Sequence, residues 1–175
     1  MEKLLYSPLD LAIILQYHKV DVVRISEVLA DIFRYDNAFI QPKYRNNLKG
    51  FMLAVMDELN SLNNQEQFDL EKEEIDKDLS ELGIENVNME PVEDTNHLIF
   101  KNLRIKILYI NKQGFAKMKL RSLLASLGYK KRSPAILNYI VDCLLFYHIS
   151  VSLRDNAPCI IDEISLDDTI IFRVI

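Results

Sequence analysis

Two leucine-rich runs joined by a very short link constrain the fold of this chain more than any other feature. Residues 117–127 set Leu120, Leu123, Leu124 and Leu127 on one face, which predicts a helix closed by Gly128. Residues 129–132 make a tight link, and Ser133-Pro134 opens a second helix running to about Tyr147. The serine hydroxyl caps free N–H groups there, and proline suits the first helical position. Residues 149–153 then alternate as a strand, 154–158 turn, 159–164 supply a candidate second strand, and Asp167-Asp168 turns the chain into 169–175. A further strand is expected at 104–110, where Ile105, Ile107 and Tyr109 alternate with Lys106, Leu108 and Ile110. Apolar residues fill both phases of that run, so a short helix is the alternative. Strand, helix, short turn, helix and hairpin is the order of a winged-helix-like domain, with 133–147 in the place of a recognition helix.

The first part of the chain reads as helical throughout. Ser7-Pro8-Leu9-Asp10 is another helix start, with Asp10 at the positive helix end, and Leu11, Ile14, Leu15 and His18 give an apolar face. Ile25, Val28, Leu29, Ile32 and Phe33 recur at helical spacing, Gln41-Pro42 breaks the chain, and a third helix is expected over 43–62. The polar residues 60–67 are the linker candidate, followed by an acidic helix over 70–82 that ends at Gly83 and an acidic loop over 85–96. The expected class is α+β and mostly helical. Its expected parts are an N-terminal helical unit (1–66), an acidic helix and linker (67–97) and a winged-helix-like domain with a β-hairpin (98–175).

Charge is strongly segregated along the chain, although its net value is only −5. Residues 101–132 hold ten basic side chains and no acid, whereas 57–94 hold fourteen acids against Lys72 and Lys77. Such polarity bears on partners and steering rather than on fold. The acidic run is either a solvated face or a shield over the basic one. Lys130, Lys131 and Arg132 stand directly before the Ser133 helix start, where free N–H groups and the helix dipole favour an anion. With Lys117, Lys119, Arg121 and Ser133 they form the candidate nucleic-acid site. A solvated turn and a face docking to an acidic protein are the other readings of that cluster. The helix after them offers Asn138 and Asp142 but no Arg or Lys for guanine edges, and it is expected to be mostly buried. Any nucleic-acid contact would therefore be to the phosphate backbone.

Catalytic chemistry is not expected. Four glycines are scattered without a phosphate-cradling loop, and His18, His97 and His148 lack ligands at metal-binding spacing, so neither cofactor nor metal is expected. Asp162, Glu163, Asp167 and Asp168 are the only compact carboxylates outside the acidic helix, and no lysine follows them as a magnesium nuclease would require. Cys143 and Cys159 are read as buried free thiols of a reducing cytosol, a disulfide or redox role being the alternative. No run reaches the roughly 20 apolar residues of a membrane span. A cytoplasmic location is expected, with no membrane partner.

The segment LLASLGYKKRSPAILNYIVDCLLFYHISV with the later DDTIIF, residues 123–151 and 167–172, resembles a small module of bacterial antiphage defence and restriction-system proteins. The shared pattern is a leucine-rich helix, a glycine-aromatic-basic-basic turn, a second helix, and a hairpin with Asp before its last strand. The resemblance implies a winged-helix-like, non-catalytic part. The whole chain is similar in architecture to the small accessory subunits of SMC-type ATPases. Two functions follow as expectations: a phosphate-contacting nucleic-acid module, or an accessory subunit docking onto a larger protein. Oligomerisation is compatible with either.

Overall fold

The computed structural model of the chain describes residues 2–81 and 97–175, the side chains of residues 2 and 65–81 excepted. Three helices open it: α1 (Pro8–Tyr17), α2 (Val22–Tyr35) and α3 (Leu48–Glu81). After them come α4 (Leu98–Ile105), extended by a wide π turn (Lys106–Ile110), and strand β1 (Ala116–Lys119). The remaining elements are α5 (Leu120–Ser126), α6 (Pro134–Phe146), β2 (Ile149–Ser152) and β3 (Thr169–Val174). The expected mostly helical α+β class is what the chain adopts. The order strand, helix, turn, helix and two paired strands is present in its C-terminal half.

Helix α1 begins as its sequence requires. Ser7 Oγ accepts the Asp10 N–H at 3.1 Å while the Ser7 N–H donates to Asp10 Oδ2 at 2.9 Å, a reciprocal capping box. The second Ser-Pro start behaves alike, with Ser133 Oγ accepting the Ile136 N–H at 3.5 Å. The expected third helix over 43–62 is longer than its apolar stripe. It starts at Leu48 and runs unbroken for 34 residues, so the expected linker at 60–67 lies inside it and the acidic helix is its continuation. Asn, Ser and Gln cost a helix only about 0.7 kcal/mol each at most, and no Gly or Pro interrupts residues 51–81. The expected stop at Gly83 and loop over 85–96 lie outside the described residues.

Residues 104–110 are helical, the alternative reading, and not a strand. A helix puts Lys101 and Arg104, three residues apart, on one face, where both meet acids of the N-terminal half. Lys101 Nζ lies 2.7 Å from Asp10 Oδ2. Arg104 is clamped in bidentate fashion, its Nε at 3.0 Å from Asp36 Oδ2 and one Nη at 2.7 Å from Oδ1, while its other Nη donates to the Tyr147 carbonyl at 2.7 Å. Arg104 and Asp36 are both buried. On opposite strand faces these two cations could not share that direction.

The sheet is antiparallel with the order β1-β3-β2, so the last strand in sequence is the central one. Ala116 pairs with Phe172 and Met118 with Ile170, and on the other side Val151 pairs with Phe172. Ala116, Ile149, Ile170 and Phe172 are buried while Lys117, Lys119 and Thr169 are exposed, the period of two expected of a half-covered sheet. Pairing with β3 draws Ala116–Lys119 into a strand, so the helix expected over 117–127 is confined to α5. Residues 159–164 are not a strand either. Pro158 makes one isolated bridge to Ser152, and the chain then turns, burying Ile161 and Ile164 three residues apart. Proline has no N–H with which to extend a ladder.

Buried side chains from both halves form one continuous cluster. Tyr6, Phe100 and Tyr147 stack nearly parallel at its centre, with interplanar angles of 6° and 8°. The Tyr147 hydroxyl donates to the Leu4 carbonyl, which fastens the start of the chain to the end of α6. Burial pushes the Tyr6 and Tyr147 hydroxyls well above their ordinary pKa, so both stay protonated.

The clamp generates a stability prediction. Asp36→Ala strands a buried guanidinium and is expected to lower unfolding free energy by about 3–5 kcal/mol in urea denaturation. Asp36→Ala/Arg104→Met removes both charges and is expected to recover most of that loss.

Candidate interaction surface

The basic run does not form one uniform face. Lys101 and Arg104 are inside the protein, 3 % and 7 % exposed, and are committed to the ion pairs above. Lys119 and Arg121 share Asp167, at 3.8 Å and 2.8 Å, with more than half of each side chain exposed. Pairs in that setting contribute less than about 1 kcal/mol, so these cations stay open to exchange partners. Lys117 projects from β1 with its ammonium 5.1 Å from the Phe115 ring centre. Arg132, expected to meet phosphate, turns back on the protein: one Nη donates to the Ile164 carbonyl at 2.6 Å and the Asp162 carbonyl at 3.2 Å. Ser133 caps its own helix. Lys130 and Lys131 are exposed and form no ion pair among the described residues.

The structure brings Arg121 and Lys130 to the two sides of a groove of about 370 Å³, floored by Leu124, Gly128 and Leu166. Gly128 has φ +81°, the left-handed backbone that ends α5 and lets the chain turn toward Lys130. Two of the four carboxylates considered for metal catalysis have local partners. Asp168 Oδ2 accepts the Ser165 N–H at 2.8 Å and Asp167 holds the two cations. Among the described residues no three His, Cys, Asp or Glu side chains come together to hold a metal ion. Cys143 and Cys159 are unpaired, and burial raises both thiol pKa values, which keeps them in the unreactive protonated form.

The most distinctive surface was missed in the sequence. Helix α6 was expected to be mostly buried. Its inward face is: Ile136, Ile140, Cys143, Leu144 and Tyr147 are all buried. Its outward face is nevertheless apolar, with Val141 42 % and Leu145 69 % exposed and Leu137 half-buried. These three recur every four residues and form a ridge along the helix. Opposite the ridge stand Ile149 and Val151 of β2 and the turn at Cys159–Ile161, with Ile160 50 % exposed. The space between is a groove of about 690 Å³. The available signal was that α6 is apolar on two faces, while one core can cover only one of them.

Arg132 holds the turn that forms the far wall of this groove. Arg132→Ala is expected to accelerate amide hydrogen exchange at residues 161–164, and Lys130→Ala to leave it unchanged. No family model matches the chain, and neither does any curated protein or any solved structure.

Proposed function

We propose that the chain is a non-catalytic docking subunit that binds a larger protein through the outward face of α6. One observation carries this reading: the outward ridge of the helix in the recognition position is Leu137, Val141 and Leu145, and the helix has no Arg or Lys to read guanine. Aliphatic side chains cannot hydrogen-bond the donors and acceptors of a nucleic-acid groove, whereas burying them against protein stabilises a complex by about 25 cal/mol per Å² of apolar area. A rimmed apolar patch on a folded surface marks an interaction site. The resemblance of residues 123–151 to modules of bacterial defence assemblies supports a non-catalytic part in a multi-protein complex.

A second reading keeps the nucleic-acid interface. It is favoured by Lys130 and Lys131, both exposed beside the groove that joins Lys130 to Arg121. Contacts would then be to phosphates alone, with Lys117 and Lys119 extending the track along β1.

Two measurements separate these readings. A hydrophobic dye is expected to bind the wild-type chain and to lose most of its fluorescence on Val141→Asp/Leu145→Asp, with the circular dichroism spectrum unchanged. Labelled duplex and single-stranded DNA, titrated at two salt concentrations, are expected to bind no more tightly than about 10⁻⁵ M. Tight binding that falls steeply with salt, by a log–log slope of about 0.9 per neutralised phosphate, and that is abolished by Lys130→Glu/Lys131→Glu would replace docking with the second reading.

A further inference from the structure

We infer that the groove between α6 and β2 receives an amphipathic helix of the partner protein, apolar on the face it buries and lysine- or arginine-rich along its flank. This rests on the docking reading and specifies its occupant.

The helical form follows from which backbone groups are free. A strand would have to add to the outer edge of β2, and the C-terminal end of that edge is already engaged: Ser152 bridges Pro158, and the Leu153 N–H donates to the Ala157 carbonyl at 2.8 Å. Pro158 offers no N–H for a further ladder. The lining of the groove itself is largely apolar side-chain surface. Leu137, Val141 and Leu145 form the ridge of i, i+4 residues that packs into the grooves of another helix, and Ile160 and Val151 supply the opposite wall.

The flank follows from charge. Among the described residues, Asp162 is the one charged side chain lining the groove, and no cation lines it. Asp142 lies on the exposed side of α6 between Val141 and Leu145, and Glu163, also exposed, follows Asp162. Of the cations close to it along the chain, Arg132 is turned into the Asp162 and Ile164 carbonyls and Arg173 donates to Ser152 Oγ at 2.8 Å, while Arg154 is exposed just beyond β2. An apolar groove whose lining carries a carboxylate and no cation attracts an apolar helix with cationic edges and disfavours one with anionic edges.

The test uses the full chain and three labelled peptides of equal length. One carries an apolar helical stripe flanked by lysine and arginine, one the same stripe flanked by glutamate, and one the cationic composition with the stripe scrambled. The cationic striped peptide is expected to bind saturably, about tenfold or more tighter than either other peptide. Leu145→Asp is expected to abolish that binding, and Asp142→Lys/Asp162→Lys to invert the preference toward the glutamate peptide. Both variants change exposed positions, and their folding is checked by circular dichroism. Equal binding of the two striped peptides, still abolished by Leu145→Asp, overturns the charged flank and leaves docking intact. Equal binding of the scrambled cationic peptide, unaffected by Leu145→Asp, overturns the groove as the site and the docking reading with it. A discrete dimer in sedimentation velocity that Leu145→Asp dissociates makes the occupant a second copy of this chain and overturns the partner helix. Absence of binding by all three peptides overturns it as well.

Discussion

The buried pair of Asp36 and Arg104 is the interaction on which the arrangement of the molecule depends. Asp36 caps the end of α2, Arg104 lies in α4, and the same guanidinium reaches the carbonyl of Tyr147 just beyond α6. One side chain therefore ties together three helices that are distant in sequence. Taking both charges out of water is costly, and the cost is offset by three guanidinium hydrogen bonds, two of them to the Asp36 carboxylate. The ring of Phe39 lies 4.5 Å from the guanidinium carbon and closes the pocket with a cation–π contact. Burial works against the arginine's charge, but the Asp36 hydrogen bond and charge outweigh it and raise its pKa. Such a pair adds less to net stability than to uniqueness of packing, since few other arrangements satisfy all of these groups at once.

That uniqueness bears on function through α6. With its end pinned at Tyr147 and its inner stripe buried in the core, the helix has no freedom to rotate Val141 and Leu145 inward. Their exposure is forced by geometry. The groove beside them is a preformed recess, so an occupant would meet side chains already in place and lose little in ordering them.

Much of the helical framework was legible because its signals are local. Both Ser-Pro starts are caps completed within three residues, and β2 and β3 follow short alternations bounded by turns. The misread elements depend on partners far along the chain. Lys101 and Arg104 look like part of a basic surface until Asp10 and Asp36, 91 and 68 residues away, are placed beside them. The strand Ala116–Lys119 exists because β3 pairs with it, and nothing within 117–127 announces that pairing. Polarity marks residues 60–67 as a linker, but polarity governs exposure and does not break a helix. Arg132 shows the same limit at the candidate site: its charge was evident, but its engagement with two backbone carbonyls some thirty residues away was not.

The sheet order has a consequence for how the protein is made. Strand β3 lies between β1 and β2 but leaves the ribosome after both. Until it emerges, Ala116–Lys119 and Ile149–Ser152 have no sheet partner, and the apolar side of each is uncovered. The helices of the N-terminal half make local contacts and can assemble during synthesis, whereas the C-terminal sheet closes late and in one step. A ribosome stalled before Thr169 would display two unpaired strand edges beside an apolar helix, a state that chaperones recognise and proteases clear.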